Sequence, residues 1–296
     1  MQSVIRAAIV VCRKRSFPTE QKSCNGYSST VNEDRLRALA DDLCDVRGVE
    51  AVALGGSRAR GRHRPDSDFD VGIYYETDLD LVALESLAAR WAGAPVPIAA
   101  PGAWGPWVNG GAWLNIDGVP VDWIFRDLHR VRRQCNRASR GEFSFHSQTG
   151  HPLGFLDVAY AGEVATGIPL RDDNSMLAAL AERVSPYPEA LRAALIGNLW
   201  QVDFILDGAQ KGASAGDTAY VALCLTTAAM LLAHGWHALA GEWVINEKGI
   251  VPGVARLAVD SHGFSDEVAS ILAKTGSTPA ELRGSVDKMR SAPRPS

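Results

Sequence analysis

A chain of 296 residues, 46% hydrophobic and 22% charged, can bury a sizeable core, and its length predicts two domains. That balance excludes wholesale disorder, a coiled coil and collagen. With 30 basic and 34 acidic side chains the net charge is −4, the wrong sign for a protein held to nucleic acid mainly through its phosphates.

Residues 1–30 carry Arg6, Arg13, Lys14, Arg15 and Lys22 against Glu20, a net +4, which leaves −8 for the remainder. Val4 to Cys12 is too short for a secretory core, and an Arg- and Ser-rich leader could also be a transit peptide. The expectation is a disordered extension, with the first domain opening near Val31. Five cysteines, Cys12, Cys24, Cys44, Cys135 and Cys224, lack any C-x-x-C spacing. That pattern points to a reducing, cytoplasmic setting and away from a zinc site.

From Val31 the periodicities sharpen. Asn32 can cap a helix whose apolar positions Leu36, Leu39, Ala40 and Leu43 recur at helical spacing, with Gly48 as its stop. Val49 to Leu54 reads as a strand running into Gly55-Gly56-Ser57, Phe69 to Tyr75 as a second strand, and Asp78 to Ala92 as a helix. A Gly-, Pro- and Trp-rich loop follows from Gly93 to Gly111, long enough to serve as a lid. Ala112 to Ile116 and Val119 to Phe125 flank Asp117-Gly118, the pair preferred by a two-residue hairpin turn.

Beyond Arg126 no further strand is predicted. Asp127–Arg137, Ser175–Val184, Pro188–Leu206, Thr218–His237, Val251–Val259, Ser265–Ala273 and Pro279–Met289 read as helices, with a loose tail over 291–296. The predicted fold class is therefore α/β (α+β): a small mixed sheet within 31–167, then an all-α domain over 168–290, joined near Gly167. The most apolar stretch, Tyr220 to His234, falls short of the roughly 20 residues of a membrane span. It reads as a buried helix, and no membrane partner is expected.

The stretch richest in chemistry is Gly55-Gly56-Ser57-Arg58-Ala59-Arg60-Gly61, followed by Ser67-Asp68-Phe69-Asp70. Side chains alternate along a strand, so Asp68 and Asp70 share one face while Phe69 packs inward. Two carboxylates on one face repel and raise each other's pKa unless a cation lies between them, and they suit a hard divalent ion. The glycines allow tight turning at the strand end. Ser57 then opens a short helix, where N–H groups and a hydroxyl can hold phosphate oxygens.

Together, Gly56-Ser57-x₃-Gly61-x₅-Ser67-Asp68-x-Asp70 resembles the signature of the DNA polymerase β-like nucleotidyltransferase superfamily, with its spacing intact. The matching region runs from Val49 to Phe125. The order of sheet domain and helical domain is similar to that of aminoglycoside and related antibiotic nucleotidyltransferases. The family's third carboxylate fits Asp122, in Val121-Asp122-Trp123-Ile124. The resemblance implies an Mg-dependent enzyme in which Asp68, Asp70 and Asp122 bind two Mg²⁺ ions. Gly55, Gly56, Ser57 and Arg58 would bind a nucleoside triphosphate, expected to be ATP. A nucleoside monophosphate, AMP in the expected case, would pass to a small-molecule hydroxyl, antibiotics being among the candidate acceptors, by in-line attack on the α-phosphorus.

Arg60, Arg62 and Arg64 add local positive charge, Glu163 and Glu247 are candidate bases, and Trp104, Trp107 and Trp113 are candidates for stacking on a ring. Trp200 and Trp236 read as packing. A different function class remains open: an antitoxin-type nucleotidyltransferase that modifies a partner toxin. A nucleic-acid polymerase is disfavoured by charge, and either a monomer or a homodimer suits the sequence.

Overall fold

The computed structural model describes residues 33–296 except Pro65 and Thr77; the leader and the Asn32 cap lie outside the described residues. Helix α1 (Glu33–Cys44) buries Leu36, Leu39, Ala40 and Leu43, the four positions its spacing predicts. Strand β1 (Val49–Leu54) leads to a four-residue helix α2 (Gly56–Ala59), then β2 (Phe69–Tyr75) and α3 (Leu81–Ala92). The Asp80 side chain caps α3 by accepting from Ala83 N, and Gly93 closes it in the left-handed region.

Strands β3 (Gly111–Ile116) and β4 (Val119–Asp127) form the predicted hairpin. Asp117 and Gly118 both have positive φ, 53° and 84°, as a type I′ turn requires. The Asn115 side chain accepts from Gly118 N at 2.8 Å. Helix α4 (Leu128–Ser139) follows, capped by Asp127.

Strands do not end at Arg126, as the sequence reading expected. β5 (Phe145–Gln148) and β6 (His151–Leu156) form a second hairpin, and helix α5 (Ala159–Thr166) follows it. Then β7 (Ile168–Arg171) adds antiparallel to β1 as the sheet's fifth strand, on the far side of the junction expected near Gly167. These strands are four to six residues long and mix polar residues, Gly and Pro into their runs, so no clean alternation marks them. Thr149-Gly150, at the β5–β6 turn, is the available signal, Gly150 having φ +89°.

The five-stranded sheet runs β3-β4-β2-β1-β7, with β2 and β4 parallel and every other pair antiparallel. One face packs on α1 and α3 through Phe69, Val71, Ile73, Leu84, Leu87, Trp123 and Phe125. On the other face Ala51, Ala53 and Tyr74 join Leu128, Val131, Phe155 and Tyr160 in a second core.

The remainder is helical: α6 (Met176–Arg183), α7 (Glu189–Gly197), α8 (Trp200–Ala215), α9 (Thr218–Leu239), α10 (Ile250–Val254), α11 (Phe264–Ala273) and α12 (Pro279–Ser291). The single helix expected over Pro188–Leu206 breaks into α7 and α8 at Gly197-Asn198, both poor helix formers. A third core gathers α8, α9, α11 and α12 around Val202, Leu206, Leu225, Leu232, Trp236, Phe264 and Val286. The C-terminal tail is not loose. Arg294 forms two 2.8 Å bonds to Asp203, and Trp236 Nε1 donates to the Pro293 carbonyl at 3.4 Å.

Candidate functional site

β2 and β4 lie side by side in parallel register, with Asp70 opposite Asp122, Gly72 opposite Ile124 and Tyr74 opposite Arg126. Register partners on adjacent strands share a face and lie about 4.8 Å apart. The alternate residues Phe69, Val71 and Ile73 are buried on the other face, so Asp70 and Asp122 project together from the side away from α1 and α3. Asp68 sits just before β2. Burial pushes the Asp70 carboxyl up to about 6, helped next by the charges of Asp68 and Glu163, while Arg60 and Arg126 pull it down. The Asp68 charge thus acts on Asp70 at the start of β2, and the strand register sets Asp122 beside Asp70.

The glycine turn closes against Asp70. Gly55 N donates to Asp70 O at 2.8 Å, tying the end of β1 to the start of β2. Gly56 has φ +62°, and a Cβ there would lie 1.6 Å from Asp70 Oδ2. Only glycine lets this backbone run alongside the carboxylate. Ser57 follows in the first turn of α2.

The four arginines of the loop separate by partner. Arg58 donates to the carbonyls of Ser67 and Asp68 at 2.5–3.1 Å and lies 3.8 Å over the Phe69 ring. It holds the Asp68 loop from behind. Arg62 bonds Glu242 at 2.9 Å, linking the loop to the segment after α9, and Arg64 pairs with Asp66. Arg60 differs: its Nη1 is buried with no hydrogen-bond partner among the described residues. Burial lowers its pKa, offset by the nearby charges of Asp70 and Glu163. The sequence expectation instead names Arg58, beside Ser57, among the groups that bind the triphosphate.

The two candidate bases both have structural partners. Glu163 makes a bidentate pair with Arg126 at 2.6 and 2.7 Å, nearly out of solvent. Arg126 also donates to the Val108 and Phe125 carbonyls and lies over Tyr160. Glu247 accepts from Leu153 N and Gly154 N at 3.1 Å each, closing the edge of β6.

The Gly/Pro/Trp loop is pinned rather than free to act as the expected lid. Asn109, buried and with φ 77°, donates to Tyr75 Oη and the Phe125 carbonyl and accepts from Gly102 N. Gln148 accepts from Trp107 N and donates to the Trp104 carbonyl. Trp113 is the register partner of Asp122 on β3, half exposed, and stacks on Trp104 with centroids 4.5 Å apart. Trp107 instead stacks on His146 at 4.0 Å and packs with Phe155 and Tyr160.

Residues 36–130 match the family model described as nucleotidyltransferase domain. This chain carries a nucleotidyltransferase domain. Among solved structures, a nucleotidyltransferase-like protein from Exiguobacterium sibiricum 255-15 is similar at 10% identity and a TM-score of 0.44, covering 88% of this chain and 73% of that one. No curated protein matches the sequence significantly. The nucleotidyltransferase domain spans α1 to the start of α4 and so contains the glycine turn, the three aspartates and the Trp113 strand.

Nucleotidyltransferase domains generally use nucleoside triphosphates and divalent metals. Among the described residues, no three His, Cys, Asp or Glu side chains close into a metal cage. Mg²⁺ does not require one: it keeps several waters and binds through one or two carboxylates plus substrate phosphates. Burial, and next the neighbouring Asp68 charge, hold the Asp70 carboxyl high, and a divalent cation would offset the paired negative charge.

Proposed function

We propose that the chain transfers a nucleoside monophosphate, AMP from ATP in the expected case, to a hydroxyl of a small molecule. The observation that carries this reading is the register of Asp70 against Asp122 on adjacent parallel strands, with Gly56 closed onto the Asp70 carboxylate. Asp68, Asp70 and Asp122 would hold two Mg²⁺ ions. When bound, these supply charge neutralisation on the phosphates and a lowered pKa at the attacking hydroxyl.

The chain's own groups divide the remaining work. Ser57 and the adjoining N–H groups hold β- and γ-phosphate oxygens at the turn after β1. Arg60, whose Nη1 has no hydrogen-bond partner among the described residues, is the arginine left to meet those phosphates, while Arg58 keeps the Asp68 loop in place. Asp122 lies nearest the acceptor and orients its hydroxyl. The exposed Trp113 face beside it, backed by Trp104, offers a platform for a sugar or planar ring. The −8 balance outside residues 1–30 favours a cationic acceptor such as an aminoglycoside.

The test is incubation with labelled nucleotides, Mg²⁺ and a panel of aminoglycosides and lincosamides, reading pyrophosphate release and product mass. Asp68→Ala, Asp70→Ala and Asp122→Ala should each abolish transfer while keeping the far-ultraviolet circular dichroism of the wild type. Near-normal turnover in any of the three would remove that residue from the mechanism.

A further inference from the structure

Helices α8 and α9 run antiparallel and share the helical core, yet their outward side carries large apolar residues. Trp200 is 65% exposed, Phe204 72%, Leu223 63% and Tyr220 45%. They form one continuous stripe. Trp200 and Phe204 meet edge to face at 6.3 Å, one turn apart on α8. The next two turns on that side are Gly208 and Gly212, and the Tyr220 ring of α9 closes over both. Leu223 lies one turn further along α9.

Between Thr218 and Leu239, α9 has no Asp, Glu, Lys or Arg. By length and composition it could cross a membrane, but just over half of its most apolar window is buried within the fold. The remaining side lacks the charges that normally solubilise a surface helix. On the flank, Asp203 and Asp207 pair with Arg290 and Arg294. An apolar, aromatic-rich centre with a polar, ion-paired margin is the anatomy of a protein interface.

We propose that this stripe is where the chain pairs with a second copy of itself. The four side chains together expose about 450 Å², taking roughly 150–250 Å² for a whole aromatic side chain. Two-fold pairing would therefore remove about 900 Å² before Ala219, Thr226 and Met230 are counted, which brings the total to about the 1,200 Å² at which specific interfaces begin. A two-fold axis places the same stripe on both partners. The two antiparallel helix pairs then form a four-helix arrangement. A bilayer is the poorer occupant: interfacial helices carry a basic polar face, whereas residues 200–239 hold Asp203, Asp207 and Asp217 against Lys211 alone.

The test is sedimentation velocity and native mass measurement on the full chain from about 1 to 100 µM, for wild type, Phe204→Asp and Leu223→Arg. All the substituted positions are exposed, and circular dichroism checks that the fold survives. A photoreactive benzoylphenylalanine at position 204 reports what lies on the stripe. The expected result is a two-chain mass for the wild type and self-association weakened at least about 30-fold in either variant. The expected cross-link joins residue 204 to a peptide of α8 or α9 at doubled mass. Three results would overturn the proposal: a single-chain mass at 100 µM, co-flotation with phosphatidylcholine or phosphatidylglycerol vesicles that Leu223→Arg abolishes, or a cross-link at single-chain mass to a peptide within residues 1–32.

Discussion

Replacing Gly56 by alanine isolates the contact on which the placement of Asp70 depends. Gly56 and Gly61 both have φ +62°, so alanine at either site carries the same left-handed strain, about 1–2 kcal/mol. At Gly61 a Cβ meets nothing within 4 Å; at Gly56 it would lie 1.6 Å from Asp70 Oδ2 and 2.6 Å from Asp70 Cγ. Ordinary contact begins near 3.4 Å, so the carboxylate must retreat by nearly 2 Å. Misplacing a reacting group by about 1 Å can cost roughly 100-fold in rate. Gly61→Ala should therefore melt about 3–6 °C below wild type, and Gly56→Ala at least as far below. Gly56→Ala alone should lose at least about 100-fold in kcat/KM for pyrophosphate release, and with it the thermal shift given by Mg²⁺ and ATP. Gly56→Ala turning over within threefold of Gly61→Ala would refute the reasoning, because the clash would then have been absorbed without moving Asp70.

Other consequences are equally direct. Saturating Mg²⁺ and ATP, at about 100 times the dissociation constant, should stabilise the wild type by about 2.7 kcal/mol. Asp70→Asn should melt higher than wild type without ligand, because a buried, repelled charge is gone, and should show no such shift. Glu163→Gln breaks a buried bidentate pair with Arg126 and should cost about 3 kcal/mol in urea unfolding. An unchanged stability with a collapsed kcat would make Glu163 a base instead. His234 is buried, neither ring nitrogen has a hydrogen-bond partner among the described residues, and burial lowers its pKa to about 3. The unfolded chain binds this proton below about 6.5 and the folded one does not. Stability from the neutral ring is therefore present above pH 6.5 and lost as pH falls from 6.5 toward 3, by up to about 1.4 kcal/mol per pH unit. His234→Leu should flatten that slope, and an unchanged slope would show that other groups set it.

Much of the nucleotidyltransferase domain was legible in the chain because its signals are local. The spacing of Leu36, Leu39, Ala40 and Leu43, the bounds of Val49–Leu54 and Phe69–Tyr75, and the Asp117-Gly118 turn each depend on a handful of adjacent residues. The β5–β6 hairpin and β7 were not legible, because short polar strands owe their state to the partners they meet. The same holds for Arg58. Its neighbour Ser57 suggested a phosphate contact, while the fold directs the guanidinium to the carbonyls of Ser67 and Asp68.

Sequence alone determined that Asp68 and Asp70 stand two residues apart behind a glycine turn, since strand alternation follows from covalent geometry. Tertiary structure decided that Asp122 stands beside Asp70, that Glu163 is matched to Arg126, and that Trp200 and Phe204 face outward. Each depends on which strands and helices become neighbours. That choice follows from the burial of three cores at once, a condition summed over residues far apart in the chain and written at no single position.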